Sequence, residues 1–241
     1  MCDIARQLHA VQDQIARAAN DCQRDPATIQ LLAVSKTKPL EAIRAAYRAG
    51  QRRFGESYAQ EACTKIQVLR QEGLLDIEWH FIGPLQSNKT RLVAEHFDWV
   101  DSVDRLKIAE RLNAQRPQTL PPLNLCIQVN ISGEAQKSGT TETEVFDLAR
   151  EIAALPHLQL RGLMGVAEDT PDLETLQANF HQLADLFQRL QAHYPAMDTL
   201  SMGMTQDMSV AIACGSTQVR IGTAIFGARD YAARSEASPA A

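Results

Sequence analysis

The segment LLAVSKTKP, Leu31–Pro39, runs from a short apolar stretch into two lysines and a proline. A short apolar run that ends in polar residues has the character of a buried strand. Pro39 suits the first turn of a helix, because its φ is already near the helical value and its missing N–H is not needed there. The segment therefore predicts a strand, a turn that carries Lys36 and Lys38, and a helix.

The same alternation continues along the 241 residues of the chain. Runs with strand character cover residues 29–34, 53–54, 77–82, 97–100, 123–131, 158–164, 199–201 and 218–221, and helical candidates lie near 40–49, 57–72, 88–95, 104–115, 142–154, 172–192 and 206–213. A further helical pattern covers about residues 3–24. Eight strand–helix alternations in about 250 residues predict an α/β fold, a single (β/α)8 TIM-type barrel with an extra N-terminal helix. The rival is a doubly wound open sheet, but no G-x-G-x-x-G follows the first strand, which argues against its dinucleotide-binding form.

The composition is that of an ordinary globular protein, with 45% apolar and 22% charged residues. The net charge of −5 argues against broad binding to nucleic acid or to an anionic membrane, because both need a basic surface. No stretch approaches the roughly 20 apolar residues that span a membrane. The five cysteines are scattered and odd in number, which favours neither a disulfide framework nor a metal site. A cytoplasmic protein is therefore expected.

No linker divides the chain, so residues 1–230 are expected to form one domain. Residues 231–241 are rich in Ala and Ser and are expected to be a flexible tail. No apolar patch in the sequence specifies a dimer, and a monomer is the default expectation.

The segment VRIGTAIFG, Val219–Gly227, is a candidate phosphate site, since barrels often bind phosphate in the loops after strands seven and eight. Gly222 allows the backbone to approach an anion, Thr223 adds a hydroxyl, and residues 224–226 can form a helical turn with free N–H groups. Ser201, at the end of the preceding run, offers a second hydroxyl. The alternative is a glycine-rich turn that closes the barrel, with Ser201 and Thr223 as caps, and the spacing alone favours neither.

Lys36 is the candidate nucleophile. It has the same side-chain parity as Leu32 and Val34 and lies at the end of its strand, where barrels place catalytic groups. A lysine that is partly desolvated there can act as an amine nucleophile and form a Schiff base with a carbonyl group. The alternative is a solvated lysine at a strand end.

A phosphate site and a Schiff-base lysine at one barrel mouth leave two chemistries open, an aldolase acting on a phosphorylated sugar and a protein that binds pyridoxal 5′-phosphate (PLP). By family resemblance, the aldolases carry their lysine on a later strand, around the sixth. A lysine on strand one with Arg220 on strand eight favours PLP, with Arg220 holding the pyridine nitrogen. Because arginine stays protonated, it would leave that nitrogen largely unprotonated and the ring a weaker electron sink.

Three further residues belong to the candidate cofactor-binding set. His80 lies on strand three, where a histidine satisfied within the core is the alternative. Ser57 follows strand two. Met202 follows Ser201, and for Met202 the alternative role is packing. No catalytic residue and no metal ligand is predicted.

These residues lie in motifs that occur in order along nearly the whole chain: LLAVSKTKP, FGESYAQE, WHFIGPLQSNK, SVDR, QVNISGEAQKSG, LRGLMGVAE and LSMGMTQDMSVAIACGSTQVRIGTAIFGAR. In these motifs the sequence resembles the pyridoxal phosphate homeostasis protein family, which is related to the N-terminal barrel of alanine racemases. The resemblance implies a barrel of PLP fold type III and an internal aldimine of PLP on Lys36. It also implies phosphate contacts from Ser201, Gly222 and Thr223, and a ring-nitrogen contact from Arg220.

The chain departs from the family pattern at two places. Ser57 stands where the family usually has asparagine, so that position has no amide group. The segment GLMGVAE, residues 162–168, replaces a more usual GLMAI type, and this change is expected to alter packing rather than cofactor binding.

The remaining choice is between a PLP-holding protein and a racemase-like PLP enzyme of fold type III. Racemisation needs acid/base groups on both faces of the α-carbon, and alanine racemases supply one of them, a tyrosine, from a C-terminal β domain. Here 14 residues follow Gly227, among them one tyrosine, Tyr231. We therefore expect an open mouth and a protein that holds, protects and releases PLP with little or no turnover. Its expected partners are PLP and PLP-accepting apo-enzymes, and a part in release is left open for Lys38, Lys89 and Lys137.

Overall fold

Eight parallel strands close into a barrel in chain order in the computed structural model, which describes residues 3–132, 138–168 and 170–228. The strands are β1 Gln30–Val34, β2 Arg53–Glu56, β3 Glu78–Phe81, β4 Trp99–Val103, β5 Leu123–Val129, β6 Leu158–Gly165, β7 Thr199–Ser201 and β8 Gln218–Ile221. β1 pairs with β2 on one side and with β8 on the other, where Leu32 lies opposite Arg220. The predicted (β/α)8 barrel is confirmed. The predicted tail, 231–241, and Lys137 lie outside the described residues.

Helices follow the strands around the outside of the barrel. They are α1 Ile4–Asp21, α2 Leu40–Arg48, α3 Ala59–Gln71, α4 Thr90–His96, α5 Leu106–Gln115, α6 Val145–Ala153, α7 Leu173–Gln191, α8 Met208–Ala213 and α9 Thr223–Phe226. The extra N-terminal helix α1 begins at a cap, because the Asp3 side chain accepts a hydrogen bond from Arg6 N. Its apolar face, with Leu8, Val11 and Ile15 buried, packs against α2, α8 and α9. Among the described residues, no helix combines the length and the apolar character that crossing a membrane requires.

Several strand boundaries differ from those that the sequence predicts; β4, for example, spans Trp99–Val103 instead of residues 97–100, and β2 and β5 show the cause of such a shift. β2 continues past Phe54 to Glu56, because Gly55 and Glu56 pair with His80 and Phe81 of β3 although neither is an apolar strand former. β5 ends at Val129, because beyond it the backbone turns to hydrogen-bond Thr140, whose oxygen accepts from Asn130 N at 3.0 Å. In both places a contact with a distant segment decides the boundary.

The inside of the barrel is unusually polar. The large apolar core lies mainly between strands and helices, and a separate small cluster of Trp99, Cys126 and Met164 lies inside the ring of strands. A barrel interior is commonly filled by branched apolar side chains. Here five buried polar side chains share that space and form what we call the inner network: His80, Asp101, Ser201, Gln218 and Arg220.

Candidate functional site

Lys36 lies in the turn between β1 and α2, at the C-terminal end of the barrel. It is half-buried on the wall of a cavity of about 490 Å³. The same wall includes residues that follow β2 and β3, among them Ser57, Tyr58, Gly83 and Lys89. An amine at this position therefore faces a space large enough for a small molecule, at the end of the barrel where sites of this fold lie.

The turn between β8 and α9 approaches the strand that carries Lys36. Gly222 is the N-terminal cap of α9, and a Cβ added to it would lie 3.2 Å from Val34 O and 3.3 Å from Val34 Cβ. Thr223 is the first residue of the helix. Any side chain at position 222 would therefore press on the backbone of β1 two residues before Lys36. The sequence-predicted phosphate turn and the candidate lysine lie at the same mouth.

Arg220 is buried inside the barrel, and its guanidinium joins β7 and β6. One terminal nitrogen donates to Ser201 O and Ser201 Oγ, both at 2.8 Å, and the other donates to Gly165 O at 2.9 Å. Burial lowers the pKa of Arg220 and the Asp101 carboxylate opposes that effect, but a guanidinium stays charged in proteins. These three bonds leave its Nε–H and one terminal N–H without an acceptor among the described residues, so the side chain can still donate two hydrogen bonds.

Ser201 is held in one orientation by two donors. Its Oγ accepts from Arg220 and also from Gln218 Nε2 at 3.0 Å. The same Gln218 nitrogen donates to Asp101 Oδ2 at 3.0 Å, and this contact with a carboxylate oxygen assigns it as the amide nitrogen. A hydroxyl whose two lone pairs are both engaged directs its own proton elsewhere. Ser201 is therefore set to donate a hydrogen bond, which is what an anionic oxygen accepts.

His80 lies inside the barrel in contact with Asp101. Its Nδ1 is 3.1 Å from both carboxylate oxygens, and its ring stacks on Trp99 with the ring centroids 4.9 Å apart. Its Nε2 has no hydrogen-bond partner among the described residues. His80 is not among the residues that line the Lys36 cavity. It is linked to Ser201 through Asp101 and Gln218, so direct contact with a cofactor stays a prediction.

The remaining candidates lie around the same mouth. Met202 is buried, and its N–H donates to Gln218 O at 3.1 Å, so its backbone is part of the β7–β8 join. Ser57 packs its backbone against Gly83, where an added Cβ would come within 2.5 Å of Ser57 O. Lys38 is not among the residues that line the Lys36 cavity, and its Nζ donates to Gly227 O at 2.9 Å and to Ala228 O at 2.6 Å.

Sequence reasoning missed a group of charges between α3 and the barrel strands, close to the turn that carries Lys36. Lys65 Nζ lies 2.9 Å from Glu56 Oε1, 2.7 Å from Glu61 Oε1 and 3.1 Å from Ser35 O. We call Ser35, Glu56, Glu61 and Lys65 the Lys65 cluster. The spacing of Glu61 and Lys65, four residues apart on one helix, is a signal that could have found half of it. The other half depends on how α3 packs against β1 and β2.

Comparisons with known proteins agree on one family. The family model described as "Alanine racemase, N-terminal domain" matches residues 7–230. A protein from Vibrio alginolyticus named "Pyridoxal phosphate homeostasis protein" is 57% identical over 232 residues, which cover 96% of this chain and all of the relative. The protein of the same name from Escherichia coli K12 is 56% identical over 231 residues, covering 96% and 99% of the two chains.

Solved structures extend the comparison. PipY of Synechococcus elongatus, solved with PLP bound, is 38% identical, has a TM-score of 0.80 and is covered completely by 93% of this chain. Alanine racemase from Corynebacterium glutamicum is similar in fold alone, with 16% identity and a TM-score of 0.71, and 95% of this chain covers 62% of that enzyme. Since relatives above 50% identity match over nearly their full length, the chain belongs to the pyridoxal phosphate homeostasis protein family, whose barrel is that of the alanine racemase N-terminal domain.

Proposed function

We propose that this protein binds PLP at the mouth of its barrel, with Lys36 as the point of covalent attachment, and holds and releases the cofactor with little or no turnover. The observation that carries the proposal is the contact between Gly222 and Val34. It brings a turn suited to phosphate next to the strand that ends two residues before Lys36. PLP needs both, because it carries an aldehyde and a phosphate on one small ring.

The residues around the β8–α9 turn fit a phosphate group. Ser201 has a proton directed away from its two donors, and Thr223 adds a second hydroxyl. The first N–H groups of a helix have no acceptor within the helix, and they favour an anion. The buried charge of Arg220 adds to the positive potential at that end of the site. These groups are donors, as an ionised phosphate requires.

Arg220 also supports holding over turnover. If the Nε–H of Arg220 donates a hydrogen bond to the pyridine nitrogen, that nitrogen must act as the acceptor. It therefore carries no proton. A pyridine ring without that proton is a weak electron sink, and electron withdrawal is what most chemistry at the α-carbon of an amino acid needs from PLP. Such an arrangement keeps the cofactor bound while doing little to activate it.

When bound, PLP supplies an aldehyde that condenses with an amine to form a C=N bond and one water molecule, and addition of water reverses the step. Lys36 would present that amine. The cavity of about 490 Å³ beside it would admit water or an incoming amine to Lys36. The arrangement suits reversible storage, with delivery to PLP-accepting apo-enzymes as the step that follows release.

The proposal is tested by colour and by reductive trapping. The purified protein with PLP should absorb in the visible range, and Lys36→Ala should abolish that band, because no amine remains at that position. Lys89→Ala is the matched control, since Lys89 lies on the same cavity wall, and it should keep the band. Borohydride reduction followed by peptide mass analysis should find the label on the peptide that contains Lys36.

Three outcomes contradict parts of the proposal. A label on another lysine removes Lys36 from its role. Robust racemisation of alanine or serine by the pure protein makes it a racemase-like enzyme instead of a holder. A colourless protein that turns over a sugar phosphate favours the aldolase. Delivery is tested separately, by measuring PLP transfer to an apo-enzyme with and without a scavenger of free PLP.

A further inference from the structure

Lys65 is a buried lysine outside the site described above. It lies on α3 with 8% of its side chain exposed, and its ammonium meets three oxygens, from Glu56, Glu61 and Ser35. The ammonium donates to Glu56 Oε1 and to Ser35 O, and it forms an ion pair with Glu61. Glu56 has no exposed side-chain surface. The charges of the Lys65 cluster thus lie between α3 and the barrel, and they contact the turn that carries Lys36.

The residue before Lys36 is held at every polar atom. The oxygen of Ser35 accepts from Lys65 Nζ at 3.1 Å and from Lys38 N at 3.0 Å. Its N–H donates to Gly55 O at 3.0 Å, and its hydroxyl donates to Glu56 Oε1 at 2.7 Å. Four hydrogen bonds leave Ser35 one arrangement.

The residue after Lys36 is held in a conformation that it does not favour. Thr37 has a φ of +64°, and β-branched residues rarely adopt this left-handed region. Such a backbone persists only where its surroundings determine it. Thr37 N donates to Glu61 Oε1 at 2.8 Å, and the same oxygen lies 2.7 Å from Lys65 Nζ in an ion pair. Glu61 therefore joins the strained residue to the buried ammonium.

Stability alone does not account for these charges. Burial raises the pKa of Glu56, and the Lys65 ammonium and the Ser35 hydroxyl only partly oppose it, so the site disfavours the ionised carboxylate. Replacing a buried ion-pair group by apolar residues of similar volume is often neutral or stabilising in proteins. Apolar residues, however, could not form hydrogen bonds with the backbone on each side of Lys36.

We propose that Glu61 and Lys65 are positioning residues for Lys36. They fix Ser35 on one side of Lys36 and Thr37 on the other. The Lys36 side chain therefore starts from one backbone position and points in one direction. The inference rests on the proposed function, because it gives Lys36 an aldehyde to meet. Its structural part, an ordered turn, holds in the protein without PLP as well.

The experiment compares Glu61→Ala with Glu61→Gln. The Glu61 side chain is 30% exposed, so both variants are expected to fold. Glutamine keeps an oxygen that can accept from Thr37 N, whereas alanine loses it. Lys65→Met is a harsher variant, because it leaves Glu56 buried without a cation, and it serves only as support.

Two readouts are expected to move together. In the protein without PLP, the rate of amide hydrogen exchange in the segment around Thr37 should rise about tenfold in Glu61→Ala, because one charged hydrogen bond is lost. In Glu61→Gln the rate should rise much less. The affinity for PLP should fall by a similar factor in Glu61→Ala. The affinity for pyridoxine 5′-phosphate should stay unchanged, because this probe has the ring and the phosphate but no aldehyde to condense with an amine.

Other results overturn the proposal. Unchanged exchange at Thr37 in Glu61→Ala shows that Glu61 does not order the turn. An equal loss of affinity for PLP and for pyridoxine 5′-phosphate shows a general role in folding the mouth. Failure of the proposed function has a different signature, because the wild-type protein would then form no visible adduct with PLP while the exchange difference at Thr37 would remain.

Discussion

The inner network and the Lys65 cluster are built from the same kinds of group, yet they use them differently. Each holds a buried cation with a buried carboxylate nearby, Arg220 with Asp101 and Lys65 with Glu56. Buried atoms without a partner among the described residues occur in both, His80 Nε2 and Gln218 Oε1 in the inner network and Glu56 Oε2 in the Lys65 cluster. The difference lies in the donors, because Arg220 and Ser201 keep donors available, whereas the Lys65 ammonium faces oxygens of Glu56, Glu61 and Ser35.

That difference separates holding a ligand from holding a backbone. A group that binds a ligand must keep donors or acceptors available, in an arrangement that the rest of the protein fixes in advance. Arg220 and Ser201 meet this condition, since each is oriented by contacts to strands and each keeps a donor. The Lys65 cluster uses its hydrogen bonds on the turn around Lys36. The type of cation fits each role. The planar guanidinium of Arg220 can donate to two strands at once, whereas the compact ammonium of Lys65 can be surrounded by several oxygens.

The largest effect is expected from Arg220→Met, which removes the cation of the inner network. The buried backbone oxygens of Ser201 and Gly165 then lose the donor that Arg220 supplies. Leaving a buried acceptor without its donor costs about 1 to 3 kcal/mol, so a loss of about 3 to 5 kcal/mol in the free energy of unfolding is expected in urea unfolding. Ser201→Ala is the control, since it removes one acceptor and should cost only about 1 to 2 kcal/mol. Equal losses in the two variants would show that the bonds from Arg220 to the two backbone oxygens do not matter.

The comparison also explains which parts of the site the sequence predicts. Ser201, Arg220, Gly222 and Thr223 lie at the ends of two strands that are neighbours both in the chain and in the barrel, so a local pattern suffices to group them. Lys36 joins them because strand parity and the strand end are local properties as well. The fold follows from the same local rhythm, repeated eight times.

Only the Glu61–Lys65 spacing of the Lys65 cluster could be predicted in that way, because Glu56 and Ser35 meet Lys65 only when α3 packs on the outside of the barrel. Glu56 ends a strand whose last two residues lack apolar character, and its polar side chain is stable there because Lys65 covers it. The contact between His80 and Asp101 likewise depends on the pairing of β3 with β4. Long-range packing decides these contacts, and the sequence of either partner alone carries no sign of the other.

A smaller, pH-dependent effect is expected from Glu56→Gln. Burial raises the pKa of Glu56 above its ordinary value of 4.5, so the folded protein binds that proton more tightly than the unfolded chain does. As pH rises from 4.5 through the raised pKa, the folded state loses this advantage and the free energy of unfolding falls. Glutamine does not titrate. The stability of Glu56→Gln relative to the wild type should therefore increase with pH in urea unfolding measured between about pH 4 and pH 8.

Glu72→Gln is the matched control for that experiment, and its difference from the wild type should change in the opposite direction. The hydrogen bond from Arg44 lowers the pKa of Glu72, so the wild type loses stability as pH falls through the ordinary range of a glutamate. Relative stability of Glu72→Gln should thus increase toward acid. Parallel curves for Glu56→Gln and the wild type at every pH would mean that burial does not raise the pKa of Glu56, and would weaken the contrast between the two regions.

The smallest effect is expected from Lys38→Met, which cuts the link between the two regions. Lys38 follows the turn that the Lys65 cluster holds, and its Nζ donates to the oxygens of Gly227 and Ala228 at the end of α9. Losing these partly exposed bonds should cost about 1 kcal/mol in the free energy of unfolding. Because α9 carries the candidate phosphate turn, affinity for pyridoxine 5′-phosphate should fall a few-fold. Glu61→Ala is expected to spare that affinity and to weaken PLP alone, so the two variants divide the mouth into a part that orders the amine and a part that orders the anion site. If Lys38→Met instead weakened only PLP and spared pyridoxine 5′-phosphate, Lys38 would belong with the Lys65 cluster, and the boundary between the two regions would lie at α9.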